Sequence, residues 1–173
     1  KASAAFTVFA QFLAFSSQNQ DPKQAFTPTT SRVGTSSRVV IEEMKRYAVL
    51  DQGSSAKEFT DQVFDLDRLS QAALLRGLFT ADGTVANYGE KSQYVALDSV
   101  SKTLLQQVQL MLLSFGIKSK LYENRRAGRF QAFLPNGKGA LALYPVQEMH
   151  SLRISHSSRQ RFAQDIGFMA GTA

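Results

Sequence analysis

The 173 residues contain no cysteine, which excludes disulfides, thiolate metal sites and a cysteine nucleophile and agrees with an intracellular, cytoplasmic home. Only two histidines are present, too few for a histidine-rich metal centre. No apolar run reaches the ~20 residues that cross a bilayer, so no membrane partner is expected. Residues 1–15 look at first like a signal peptide, but Gln11 interrupts the apolar run and no small-residue cleavage site follows. Lys1 is not an initiator Met, so a processed, cut or partial chain is expected. What is there, 43% hydrophobic and 20% charged residues, describes one soluble globular domain or a large part of one.

Charge of one sign is concentrated. Residues 117–161 hold nine Lys or Arg against two acids, a local balance of +7, so the rest of the chain carries −1 of the total +6. Such asymmetry fits a polyanion on one face, with a merely solvated basic surface as the bland alternative.

Residues 71–85, QAALLRGLFTADGTV, read as an apolar helix that stops on an acid and a glycine and turns directly into a strand. Ala73, Gly77 and Ala81 recur every four residues and line one face with almost no side chain, so a second backbone can approach closely. Leu74, Leu75, Leu78 and Phe79 fill the flanks. Gly83 suits the left-handed residue that ends a helix. Asp82 then stands at the negative end of the helix dipole, which costs roughly 0.3–1 kcal/mol where exposed. A bound cation would reverse that sign; a simple Asp-Gly turn is the plainer reading.

The stretch 75–83 resembles the motif of the LAGLIDADG homing endonucleases, in the form of the second motif of intein-borne members, especially those in ribonucleotide reductase genes. The resemblance implies that two such helices pack side by side and that Asp82 binds a catalytic Mg²⁺. The first acid of the family's name falls on Thr80, a departure at a position that is usually not a ligand. Residues 57–64, KEFTDQVF, resemble the block before the second motif and assign Lys57 to the active site; Thr60 replaces a usual proline there. An ammonium at that place can polarise a phosphate or steer a water. An ordinary exposed lysine is the alternative. The ending LRISHSSRQRFAQDIGF also looks like the close of the endonuclease's second half.

Elsewhere the pattern predicts an amphipathic helix within 1–15, a short strand within 29–35, and a helix from Arg38 to about Leu50 that buries Val40, Ile41, Met44 and Tyr47 behind a Ser37 cap. A similar capped helix recurs 64 residues later at Ser101, a weak internal duplication that chance also explains. A hairpin follows over 84–88 and 92–98, then an apolar helix over 102–114 ended by Gly116. A strand over 117–124 carries Lys118, Lys120 and Tyr122 on one face, and Arg125, Arg126 and Arg129 follow. A second hairpin spans 130–144, a strand 151–155 carries Arg153 opposite Leu152 and Ile154, and a helix capped by Ser157 or Ser158 runs from Arg159 to Ile166.

The fold expected is α+β, an antiparallel curved sheet with packed motif helices. Residues 1–56 are assigned to a partial first half-repeat and linker, and 57–173 to the second half-repeat. The function implied is site-specific cleavage of double-stranded DNA, with Lys118, Lys120, Arg125, Arg126 and Arg153 facing the DNA. A missing first half-repeat or a homodimer would supply the second acid. No splicing residues are found: the chain lacks Cys or Ser at its start and His-Asn near its end. The alternatives are a non-cleaving nucleic-acid-binding protein of the same fold (a maturase, a transcription regulator or a decayed endonuclease) and a structural remnant without nucleic-acid affinity.

Overall fold

The computed structural model describes residues 36–50, 52–90, 92–125, 131–135, 141–145, 148–155 and 157–169. The helix and strand predicted within 1–35 lie outside them, as do Arg126 and Arg129. Helix α1 (Arg38–Lys45) leads through two short 3-10 turns into the motif helix α2 (Arg68–Asp82). Strands β1 (Gly83–Asn87) and β2 (Gln93–Ser99) form the expected hairpin, followed by helix α3 (Lys102–Ser114) and strand β3 (Ser119–Tyr122). Strands β4 (Gln131–Pro135) and β5 (Leu141–Pro145) pair as a separate two-stranded ribbon. Strand β6 (His150–Ser155) and helix α4 (Ser157–Asp165) complete the order. The main sheet is antiparallel with strand order β1-β2-β6-β3, so β2 and β6 are central.

The alternation of each strand decides which side faces the helices. Val95 and Leu97 of β2 lie beside Ile154 and Leu152 of β6 and point into the core with Leu74, Leu75 and Phe79 of α2 and Leu105, Val108 and Met111 of α3. Phe79 meets Phe162 edge-on at 4.8 Å, which fixes α4 against the motif helix. The opposite side of the sheet carries Thr84, Ala96, Arg153 and Lys120 in one cross-strand row.

Helix α2 starts on Asp67, whose carboxylate accepts the backbone N–H groups of Leu69 and Ser70 and the Ser70 hydroxyl at 2.6 Å. These hydrogen bonds, that of the Ser70 hydroxyl first, hold the Asp67 carboxyl below its ordinary pKa. Ser101 caps α3 in the same way, accepting the Leu104 N–H at 3.2 Å, and Gly116 at φ 71° ends that helix as expected.

Four expectations are corrected. Gly83 is not left-handed: it has φ −78° and ψ 154° and is already the first residue of β1. Glycine is required there for another reason, since a Cβ would collide with the Phe79 carbonyl oxygen. Helix α1 ends at Lys45 rather than near Leu50, because Tyr47 to Val49 turn away to pair with Glu58 and Thr60, with Val49 N–H donating to Glu58 O at 3.0 Å and Thr60 N–H to Tyr47 O at 3.0 Å. Met44 is buried while Val40 is exposed, so its inward face is narrower than predicted. Helix α4 begins at Ser157, which puts Ser158 inside the first turn, where its hydroxyl accepts the Lys118 N–H at 3.1 Å instead of capping.

Candidate active site and nucleic-acid interface

Helix α2 runs through the core and delivers Asp82 as its last residue, at the point where the chain enters β1. Leu74, Leu75 and Phe79 are fully buried, so the helix end is held by core packing rather than by its own cap. Of the small-residue stripe, Ala73 and Gly77 are buried, whereas Ala81 is exposed beside Asp82.

Lys57 reaches the same place from a segment fastened to α3. The Ser101 hydroxyl donates to the Lys57 carbonyl, and the Gln107 side chain grips the backbone two residues further on. Phe59 N–H donates to Gln107 Oε1 at 2.8 Å and Gln107 Nε2 donates to Phe59 O at 2.8 Å, as a neighbouring strand would. Lys57 and Asp82, 25 positions apart in the chain, therefore line one cavity of about 320 Å³ together with Ser54, Leu78, Asp98, Ser99 and Met149.

The electrostatics of the pair are those of a partly desolvated site. Asp82 keeps solvent access, yet enough protein surrounds its carboxylate for burial to push its pKa above the ordinary value, while the Lys57 ammonium pulls it back. Burial likewise lowers the Lys57 pKa, and the Asp82 charge opposes the shift. The two are not joined in an ion pair within 4 Å, and among the described residues the Asp82 carboxylate accepts no hydrogen bond. Its oxygens are thus available to an external partner.

Asp98 was not anticipated from the sequence. The β1–β2 pairing ends at Gly83 and Leu97, and the residues next to these, Asp82 at the end of the helix and Asp98 on β2, both line the cavity. The predicted hairpin contained that signal. Among the described residues no group of three or more His, Cys, Asp or Glu could hold a metal ion by itself. A hard oxygen donor at Asp82 suits Mg²⁺, which takes few protein ligands and keeps several waters or phosphate oxygens. The donor set fits that ion in part.

The predicted DNA-facing residues divide. Arg153 and Lys120 are cross-strand neighbours on the open side of the sheet. The Arg153 guanidinium lies 4.3 Å from the Tyr94 ring centroid and 4.8 Å from that of Tyr122, and Lys120 Nζ lies 5.0 Å from the Tyr122 ring. Lys118 is exposed but precedes β3, and its backbone is tied to α4. Arg125 is exposed just past β3, with its N–H donating to Met149 O at 2.6 Å.

Thr80, at the departing position of the motif, has a structural task. Its hydroxyl donates to Arg76 O at 2.6 Å and accepts the Met169 N–H at 2.9 Å, while Arg76 Nε donates to Ile166 O at 2.6 Å. Arg76 and Thr80 therefore bind the segment after α4 to the motif helix.

The chain is similar to the ribonucleoside-diphosphate reductase NrdEB subunit alpha of Bacillus subtilis, with 39% identity over 102 residues, which are 58% of this chain and 9% of that protein. It is similar to a DNA polymerase of Thermococcus hydrothermalis, with 30% identity over 126 residues, 73% of this chain and 7% of that protein. The chain thus corresponds to a small fraction of the length of these relatives. Among solved structures, I-DmoI in complex with DNA and Mn matches with a TM-score of 0.44 and 13% identity over 94% of this chain and 97% of that one. The N-terminal LAGLIDADG domain of DUF199/WhiA matches with a TM-score of 0.47 and 13% identity over 95% and 83%. The model of the LAGLIDADG-like domain matches residues 70–167, which hold all but the first two residues of the motif helix, the whole four-stranded sheet and α4, and the chain belongs to that family.

Proposed function

We propose that this chain is the DNA-cutting part of a homing endonuclease borne by an intein and working inside the cell, which hydrolyses double-stranded DNA at a specific site. The observation that carries the reading is the meeting of Asp82 and Lys57 in one cavity, each with a pKa displaced by burial. Asp82 would hold Mg²⁺, whose chemistry there is to lower the pKa of a bound water and to offset charge on the departing oxygen. Lys57 places a positive charge where a phosphate gains negative charge. Lys120, Arg153, Lys118 and Arg125 attract and orient the duplex. A second acid comes from a first half-repeat or from another copy of this chain.

The test is a plasmid library with randomised target sites, incubated with the full-length protein in Mg²⁺ and, in parallel, in Ca²⁺. The expected result is cutting of a narrow set of sites in Mg²⁺, lost by orders of magnitude in Asp82→Asn, with binding retained in Ca²⁺. Full cutting by Asp82→Asn would refute the metal assignment. Site-specific binding with no cutting by the unaltered protein would favour a non-cleaving regulator instead.

A further inference from the structure

Arg153 sits on a central strand, in the middle of the open side of the sheet. Its guanidinium is stacked against Tyr94 and Tyr122, which reach it diagonally from the two flanking strands. Its Nε donates to the Ser151 hydroxyl at 3.3 Å, and Ser151 is itself buried. Among the described residues no carboxylate lies within 4 Å of it, so its charge is not spent on an internal ion pair. The side chain is half-buried, held by two rings and one hydrogen bond, and among the described residues its two terminal nitrogens are left to donate.

That combination is unlike an ordinary phosphate contact. A flexible lysine suffices to follow a phosphate backbone, and holding a guanidinium flat before binding contributes mainly to the choice of partner geometry. The terminal fork matches the adjacent O6 and N7 acceptors of guanine in the major groove. Laid in that groove, the open side of the sheet would set its central strands over the floor of base edges and its edge strand β3, which carries Lys120, beside a wall of phosphates.

Resting on the function proposed above, we infer that Arg153, braced by Tyr94, Tyr122 and Ser151, is a specificity-determining residue that reads one guanine in the target duplex, and that Lys120 contacts phosphate. The probe is a pool of labelled duplexes with a randomised central segment, bound by the full-length protein in Ca²⁺ and sequenced after separation. The unaltered protein should enrich guanine at one position on which Arg153 acts. Arg153→Lys keeps the charge and should reduce that one preference at least about fivefold while leaving the others. Ser151→Ala, which leaves the arginine in place and removes its tether, should weaken the same preference, and this keeps the idea testable if the lysine variant folds poorly. Lys120→Gln should weaken all sequences alike and lower the salt slope by about one. If Arg153→Lys keeps every base preference, or Arg153→Gln behaves as Lys120→Gln does, the base-reading role is refuted while the proposed function stands. No sequence-selective binding by the unaltered protein would overturn both.

Discussion

Replacing Gln107 by Met isolates the device that brings Lys57 to Asp82. The two side chains have similar length and helix propensity, so α3 itself should be untouched. What disappears is the pair of 2.8 Å hydrogen bonds that Gln107 makes with both backbone groups of Phe59, a residue only 3% exposed. A buried backbone group left without a partner costs about 1–3 kcal/mol, so two would cost up to about 6 kcal/mol if nothing moved. Something will move, because Glu58 is exposed and the segment can turn part of its backbone to water. We therefore expect about 2 kcal/mol, the lower end for both groups together. In urea, with a slope of roughly 1–3 kcal/mol per molar, the midpoint should fall by about 1 M with the slope unchanged. Amide exchange at Phe59 should accelerate far more than at Leu105 or Val108 in the core of α3. A loss below about 0.5 kcal/mol, with Phe59 still protected, would refute the claim that Gln107 docks this segment.

Two further outcomes follow from the same geometry. Gly83→Ala should destabilise the fold by about 1–3 kcal/mol in a thermal melt, because its Cβ meets the Phe79 carbonyl and not because of φ; a melt equal to the parent would show that the helix–strand junction yields freely. For pH, the raised Asp82 pKa means that the native state binds the proton more tightly than the unfolded chain does, so this group lowers stability as pH rises from its ordinary value of 3.8 through its folded value. Lys57 has the opposite slope: its lowered pKa makes stability recover as pH climbs from its folded value towards 10.5. Asp82→Asn should remove the acid-side slope, as read from denaturation midpoints across that range, and an unchanged profile would mean that Asp82 is not desolvated.

Much of the fold was legible because its elements are locally consistent. Helix α3 and the β1–β2 hairpin follow their periods, and helix α2 stops where its apolar flanks stop. The errors have long-range causes. Nothing local to residues 46–49 says that they will leave a helix, since their partners are Glu58 and Thr60, across two 3-10 turns. Gly83 was assigned the right need for glycine with the wrong reason, because the collision partner lies four residues back on the helix wall. Asp82 and Lys57 were singled out by family resemblance, and the structure brings them to one cavity. The clamp by Ser101 and Gln107 was not singled out, since a glutamine on a helix has no pattern of its own.

Thr80 shows how the motif helix divides its labour. At 100° per residue, positions 80 and 82 point about 200° apart around α2, so they serve opposite sides. Position 82 opens into the cavity with Lys57, whereas position 80 joins Arg76 in holding Ile166 and Met169. An acid at 80 would stand among the backbone groups that Thr80 now satisfies, and it could not share a ligand with Asp82. Threonine there both donates to Arg76 O and accepts from Met169 N–H, which an ionised carboxylate could only half reproduce. The departure at Thr80 therefore removes nothing from the cavity. It strengthens the opposite side of the helix, on whose fixed position the carboxylate of Asp82 depends.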